Sequence, residues 1–92
     1  MTKPFHVVLY GHEKCCLCHE AAAMLSTLHH EYSFEVEKID VLADEKYAIL
    51  RCQIPVVTID GSNRVALRIT TARLRRAFER ASQHRDLKDN FS

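Results

Sequence analysis

Lys14-Cys15-Cys16-Leu17-Cys18-His19 sets three cysteines within four positions, at the boundary between two kinds of hydrophobic pattern. Before it, residues 5–10 form a short apolar run with the look of a buried central strand, and residues 11–14 supply the polar turn that ends it. After it, Leu17, Ala21, Met24, Leu25 and Leu28 recur at helical spacing and line one face of an amphipathic helix. The pair Cys15 and Cys18 therefore stands where a strand passes into the first turn of a helix. A helix start carries unpaired N–H groups and the positive end of the macrodipole, both of which favour a thiolate, the reactive form of cysteine. Lys14 adds a cation beside it. Cys15 precedes the helix and is expected to be the more exposed, so it reads as an attacking nucleophile. Cys18 lies one turn in, partly covered, and reads as the resolving thiol.

Working outward, residues 32–37 alternate Tyr32, Phe34 and Val36 with Ser33, Glu35 and Glu37, the pattern of a half-exposed strand that Lys38, Ile39 and Asp40 extend. Charge along one face suits a sheet edge. Residues 41–52 read as a short helix, with Asp44 as an early-turn acid and Leu42, Tyr47, Ala48, Ile49 and Leu50 as core contacts. Residues 54–59 read as a strand with Pro55 at its start, where a missing N–H is tolerated. Asp60-Gly61-Ser62-Asn63 is a tight turn by composition, so residues 64–67 are expected to return antiparallel. Thr70 or Thr71 can cap a final helix whose core face is Leu74, Ala77, Phe78 and Ala81. Its other face carries Arg73, Arg75, Arg76, Arg80 and Arg85, and residues 84–92 are expected to fray.

Ninety-two residues at 47% hydrophobic and 27% charged suit one small domain and exclude disordered, collagen-like and low-complexity classes. The N-terminal residues enter the first strand with no cleavable apolar region, and no apolar run approaches the roughly 20 residues that span a membrane. Crowded cysteines without an export signal point to a reducing compartment, so the expected location is the cytoplasm and the expected use is redox or metal chemistry. Net charge is +1, but residues 1–59 carry −3 and residues 60–92 carry +4. That imbalance points to an anionic partner, with the Arg73, Arg76 and Arg80 face as its docking surface; no nucleic acid is expected, because the face lacks interleaved aromatics.

The order strand, helix, strand, helix, strand, strand, helix begins with a parallel β-α-β unit and ends with a hairpin and a helix. The expected fold is α/β, a four-stranded mixed sheet with helices on both faces. With Cys15-Cys16-Leu17-Cys18 after the first strand and Ile54-Pro55-Val56-Val57 followed by Asp60-Gly61, the chain resembles the glutaredoxin-like branch of the thioredoxin superfamily over roughly residues 5–82. The resemblance implies a thioredoxin-like fold and a thiol-disulfide oxidoreductase. It also implies a cis bond at Ile54-Pro55, which sets the Ile54 backbone beside Cys15 to pair with a bound thiol substrate. Lys14, Thr70 and Thr71 join Ile54 and Pro55 as substrate-binding candidates, with a substrate protein or glutathione as the partner. Glutaredoxins usually carry Pro-Tyr between the cysteines and Gly-Gly plus an acid before the last helix. Here those places hold Cys16-Leu17 and the run from Val65 to Thr71.

No resident cofactor is expected in the leading reading. The alternative is a metal site for zinc, copper or an iron-sulfur cluster, built on Cys15, Cys16, Cys18 and His19, with His12 and Cys52 as further soft donors. A third reading is a non-enzymatic adaptor that uses the arginine helix. Cys16 itself reads as a solvent-facing spectator and Cys52 as a small apolar filler.

Overall fold

The computed structural model describes residues 4–91, with side chains described for residues 4–84. The apolar run after Pro4 becomes β1 (Phe5–Gly11), whose inner residues Val7, Val8 and Leu9 are buried. It is a central strand because it has partners on both sides. β2 (Phe34–Asp40) pairs with it in parallel, from Phe5 opposite Phe34 to Gly11 opposite Asp40. β3 (Val56–Ile59) pairs antiparallel, with Tyr10 opposite Val56, and β4 (Asn63–Ala66) follows antiparallel on β3, giving the order β2-β1-β3-β4.

The β3–β4 turn is built by Asp60 and Gly61, both at positive φ (55° and 80°), with Ser62 N–H donating to Ile59 O at 3.4 Å. Two consecutive left-handed residues match the twist of a hairpin, and an aspartate followed by glycine adopts them most easily. Asp60 also locks the turn to β1: its N–H donates to His6 O at 2.8 Å, and its Oδ1 accepts from His6 N–H at 3.1 Å.

Helices α1 (Cys16–Leu28) and α2 (Thr71–Phe91) cover one face of the sheet. Ala21, Leu25 and Leu28 of α1 and Leu74, Ala77, Phe78 and Ala81 of α2 close over Val7, Leu9, Val57, Ile59 and Val65 in a single core. Phe78 is its centre: the ring stacks on Tyr32 at 4.5 Å and meets Phe34 at 5.0 Å and Phe5 at 5.3 Å. Leu17 corrects the expected α1 face. It is 56% exposed, because in the first helical turn Cys18, packed against Gly11 of β1, takes the inward position and turns its neighbour Leu17 away. The α2 helix runs on past the point where a polar tail is expected to leave it. The side chains of residues 85–92, Arg85 among them, lie outside those described.

The third helix, α3₁₀ (Glu45–Cys52), is a 3₁₀ helix, capped by Asp44 Oδ1 accepting from Lys46 N–H at 3.0 Å. It buries no residue. Leu42, Ala48 and Ile49, expected as core contacts, are exposed, and the burial in this connection comes from Val41 instead. Leu42 lies outside the helix, and for Ala48 and Ile49 the physical reason is spacing: at three residues per turn adjacent positions stand about 120° apart around the axis and do not gather on one stripe. Its Tyr47 reaches Tyr10 at 5.9 Å, so the second face of the sheet is covered only at the end where β1 and β2 finish. Farther along, that face carries His6, Glu35, Glu37 and Thr58, with His6 Nε2 lying 3.4 Å from Glu37 Oε2.

Candidate active site

β1 delivers the chain to Gly11, and Cys15 N–H then closes the following turn on His12 O at 3.0 Å. Cys15 adopts extended backbone angles (φ −90°, ψ 110°) and is the N-cap of α1, where its sulfur accepts from Cys18 N–H at 3.2 Å. Serine and aspartate usually do this work with oxygen. Here the capping atom is a sulfur facing the positive end of the helix. One turn separates the two cysteines, and the turn sorts them: Cys15 is half-buried, Cys16 exposed and Cys18 only 6% exposed. All four cysteines are free thiols.

The Cys18 thiol is pushed up from its ordinary value of 9.0 to about 11, mainly by burial and next by the hydrogen bond it shares with Cys15, while a backbone hydrogen bond from His12 pulls the other way. The two sulfurs are therefore unlike, one partly open at a helix start and one covered and held protonated.

The other wall comes from β3. The Ile54–Pro55 bond is cis, as the resemblance implies, and the Tyr10 to Val56 register brings it to the end of the sheet where β1 leads into the cysteines. Pro55 is buried and Ile54 half-buried, and no backbone hydrogen bond engages Ile54 among the described residues. The segment is anchored from β4: Leu67 N–H is shared between Pro55 O at 3.0 Å and Gln53 O at 3.3 Å. Leu67 holds φ 67° and is 57% exposed, a left-handed leucine on the surface. Its apolar side chain offered no sequence signal for this role. Thr70 settles the capping choice at α2, its Oγ1 accepting from Arg73 N–H at 3.1 Å. Thr71 begins the helix half-buried, and Lys14 is exposed beside the cysteines.

Among the described residues no three His, Cys, Asp or Glu side chains are placed to hold one ion. Two positions apart in one helical turn, Cys16 is exposed and Cys18 buried, and His19 Nε2 is engaged with Glu13 O at 2.5 Å. Cys52 is exposed and not a core filler, since its helix presents no buried side chain.

One cavity adjoins the cysteines and another lies toward the far end of the β3–β4 hairpin, where Asn63 pairs with Ile59. The first, of about 330 Å³, lies behind Cys18 and is lined by Gly11, His12, His19, Lys38 and Asp40. The other, about 170 Å³, lies between β4 and α2 and gathers Asn63, Arg64, Arg73, Arg76 and Arg80. Arg73 is partly occupied there, donating to Arg68 O. Arg75, on the opposite side of α2, is taken up by Glu31 at 2.8 Å.

The glutaredoxin-like domain family (DUF836) matches residues 6–79, which hold both cysteines, the cis-proline and the start of α2. The chain belongs to the glutaredoxin-like domain family. This glutaredoxin-like domain is similar in fold to thioredoxin 1 from the thermophilic eubacterium Thermosipho africanus, with a TM-score of 0.68 at 20% identity, over 88% of this chain and 98% of that one. The fold is thus thioredoxin-like. No curated protein matches the sequence. No helix among the described residues is long and apolar enough to cross a membrane.

Proposed function

We propose that this glutaredoxin-like domain is a thiol-disulfide oxidoreductase. The observation that carries the reading is the pairing of unlike sulfurs across one helical turn, with Cys15 Sγ capping α1 and Cys18 buried behind it. The Cys15 thiolate attacks a substrate disulfide, forming a mixed disulfide and releasing one substrate thiolate. Cys18, once deprotonated, attacks Cys15 Sγ and expels the second thiolate, leaving a Cys15–Cys18 disulfide and a substrate reduced by two electrons.

The substrate class we favour is a protein disulfide. Among the described residues the exposed large apolar side chains are Leu17 in the first turn of α1, Leu42 just after β2, Ile49 in the 3₁₀ helix and Leu67 just after β4, and they suit an apolar polypeptide segment. Ile54 offers its main chain for strand-like pairing with that segment, Pro55 shapes the wall, and Lys14 supplies a cation. Glutathione is the alternative co-substrate, its carboxylate meeting the N–H groups at Thr70 and Thr71. The arginine groove is the docking surface for an acidic region of the partner, and the setting is a reducing compartment such as the cytoplasm.

A redox titration tests the reading: equilibration in buffers of graded potential, alkylation of free thiols, and mapping of each cysteine by mass. One reversible two-electron transition confined to Cys15 and Cys18, within about −120 to −270 mV, supports it. Cys18→Ser then traps the mixed disulfide and Cys15→Ser abolishes turnover. Cysteines that stay unlinked across the range sink the proposal.

A further inference from the structure

The resolving step needs something the two cysteines do not supply. Cys18 can displace a substrate from Cys15 only as a thiolate, and it sits buried against the end of β1 with no carboxylate or cation in hydrogen-bond contact. The cavity behind it, however, is shared with His12 and Asp40. The strand register creates that juxtaposition. β1 and β2 run parallel with Gly11 opposite Asp40, and Val41 N–H donates to Gly11 O at 3.0 Å, so the next residue of the first strand, His12, meets the end of the second.

His12 Nδ1 is covered and makes no hydrogen bond, yet it lies 3.5 Å from Asp40 Oδ1, within ion-pair range. A covered imidazole nitrogen without a partner is unfavourable unless a carboxylate faces it or the ring carries a second proton. Asp40 is itself held in place, because its Oδ1 accepts from Leu42 N–H at 2.8 Å. The carboxylate is therefore fixed, the imidazole is turned toward it, and both open into the space that Cys18 faces.

Resting on the oxidoreductase reading, we propose that His12, oriented by Asp40, is the base that takes the Cys18 proton in the resolving step. With the Nδ1 proton directed at Asp40, Nε2 is the free base. It accepts the thiol proton across the shared cavity, directly or through solvent. The Cys18 thiolate then forms the S–S bond to Cys15 as the bond from Cys15 to the substrate sulfur breaks, and the imidazolium, balanced by Asp40, returns its proton to the departing thiolate. The other titratable groups on this cavity are Glu13 from the loop, His19 from α1 and Lys38 from β2. His19 is the rival base, but its Nε2 is already engaged with Glu13 O.

The test is a single-turnover reaction of the reduced protein with an aromatic disulfide, 5,5′-dithiobis(2-nitrobenzoate), followed from about pH 6 to pH 9. The protein carries Cys16→Ser and Cys52→Ser, which remove the two exposed thiols, and meets one equivalent of reagent. The first chromophore released then reports attack by Cys15, and the second reports displacement by Cys18. In His12→Gln the second release is expected to slow about 100-fold relative to the first at neutral pH. It should then climb about tenfold per pH unit, as attack by an unassisted thiol does, and in His12→Ala added imidazole should restore it. Asp40→Asn, which keeps the ring and removes the charge, should slow the second release about tenfold and serves if the His12 variants fold poorly. A second release that keeps the parent rate and pH profile in both variants overturns the proposal, as does a change seen in His19→Gln instead. Failure of the native protein to release a second chromophore at any pH would sink the oxidoreductase reading itself, a result distinguishable from the first.

Discussion

A side-chain carbon placed on Gly11 would stand 2.8 Å from Cys18 Sγ and 3.0 Å from Cys18 Cβ. The strand end and the helix turn are in contact there with no room between them. Cys18 is buried because Gly11 lets it approach the backbone. Gly11→Ala is therefore expected to push the sulfur off its position, costing about 1 to 3 kcal/mol of stability by overpacking. Denaturant titration reads the stability. The displacement step should slow more than the attack by Cys15, and equal slowing of both would remove the special role of this contact.

The raised Cys18 thiol ties stability to alkaline pH. Its ordinary value is 9.0 and its folded value about 11, so between these the unfolded chain has lost the proton while the native state keeps it. Native protein then binds more protons, and stability falls as pH rises. The contribution is intact below about pH 9 and is lost through about pH 11. It amounts to at most about 2 to 3 kcal/mol on the equivalence of one pKa unit to 1.36 kcal/mol. Urea unfolding of reduced protein from pH 8 to 11 should show this decline, and Cys18→Ala should flatten it.

Leu67 occupies a left-handed conformation that glycine adopts without penalty. Leu67→Gly is expected to leave the domain at least as stable, with a gain of up to about 1 kcal/mol. If the exposed leucine serves a partner, the same change should raise KM for a protein disulfide several-fold more than for a small one. A loss of stability beyond about 1 kcal/mol would mean that its side chain packs inward in solution.

Phe78 is fully buried among three other aromatic rings that belong to β1, β2 and the turn before β2. Phe78→Ala is expected to cost about 3 to 5 kcal/mol, which for a domain of this size removes most of the folded population on heating. Phe78→Leu should cost markedly less. Thermal unfolding by circular dichroism separates the two.

The arginine groove predicts a salt-dependent preference. Arg76→Glu combined with Arg80→Glu should lower the ratio of rate constants for an acidic against a neutral disulfide peptide about tenfold at low ionic strength. The difference should shrink at about 1 M salt, where the Debye length is about 3 Å. A ratio that salt and charge reversal both leave alone would make this a solvated helix face.

Much of this was legible in the residues themselves. The run before Gly11, the alternation in β2, the Asp60-Gly61 turn and the spacing of Leu74, Ala77, Phe78 and Ala81 are patterns that repeat over a few residues. The physics that makes them, one buried face at a period of two or 3.6, acts locally. The misreadings have a common cause. Leu17, Leu42 and Ile49 are as apolar as any core residue, and an apolar side chain looks the same in sequence whether it covers the protein's own sheet or waits at its rim. Only the docking of Cys18 on Gly11, which turns Leu17 outward, and the 3₁₀ geometry of Glu45–Cys52, which leaves Ile49 outside, decided which was which.

The sequence by itself determined the order of elements, the place of the dithiol at a helix start and the family resemblance, because these follow from neighbours along the chain. The tertiary structure decided that Cys18 is the covered sulfur over Gly11, that Leu67 braces the Ile54–Pro55 segment, and that His12 faces Asp40. Each joins positions separated along the chain through strand register and close packing, which depend on how whole elements dock, and a one-residue slip of β1 against β2 would part His12 from Asp40 without altering any local pattern.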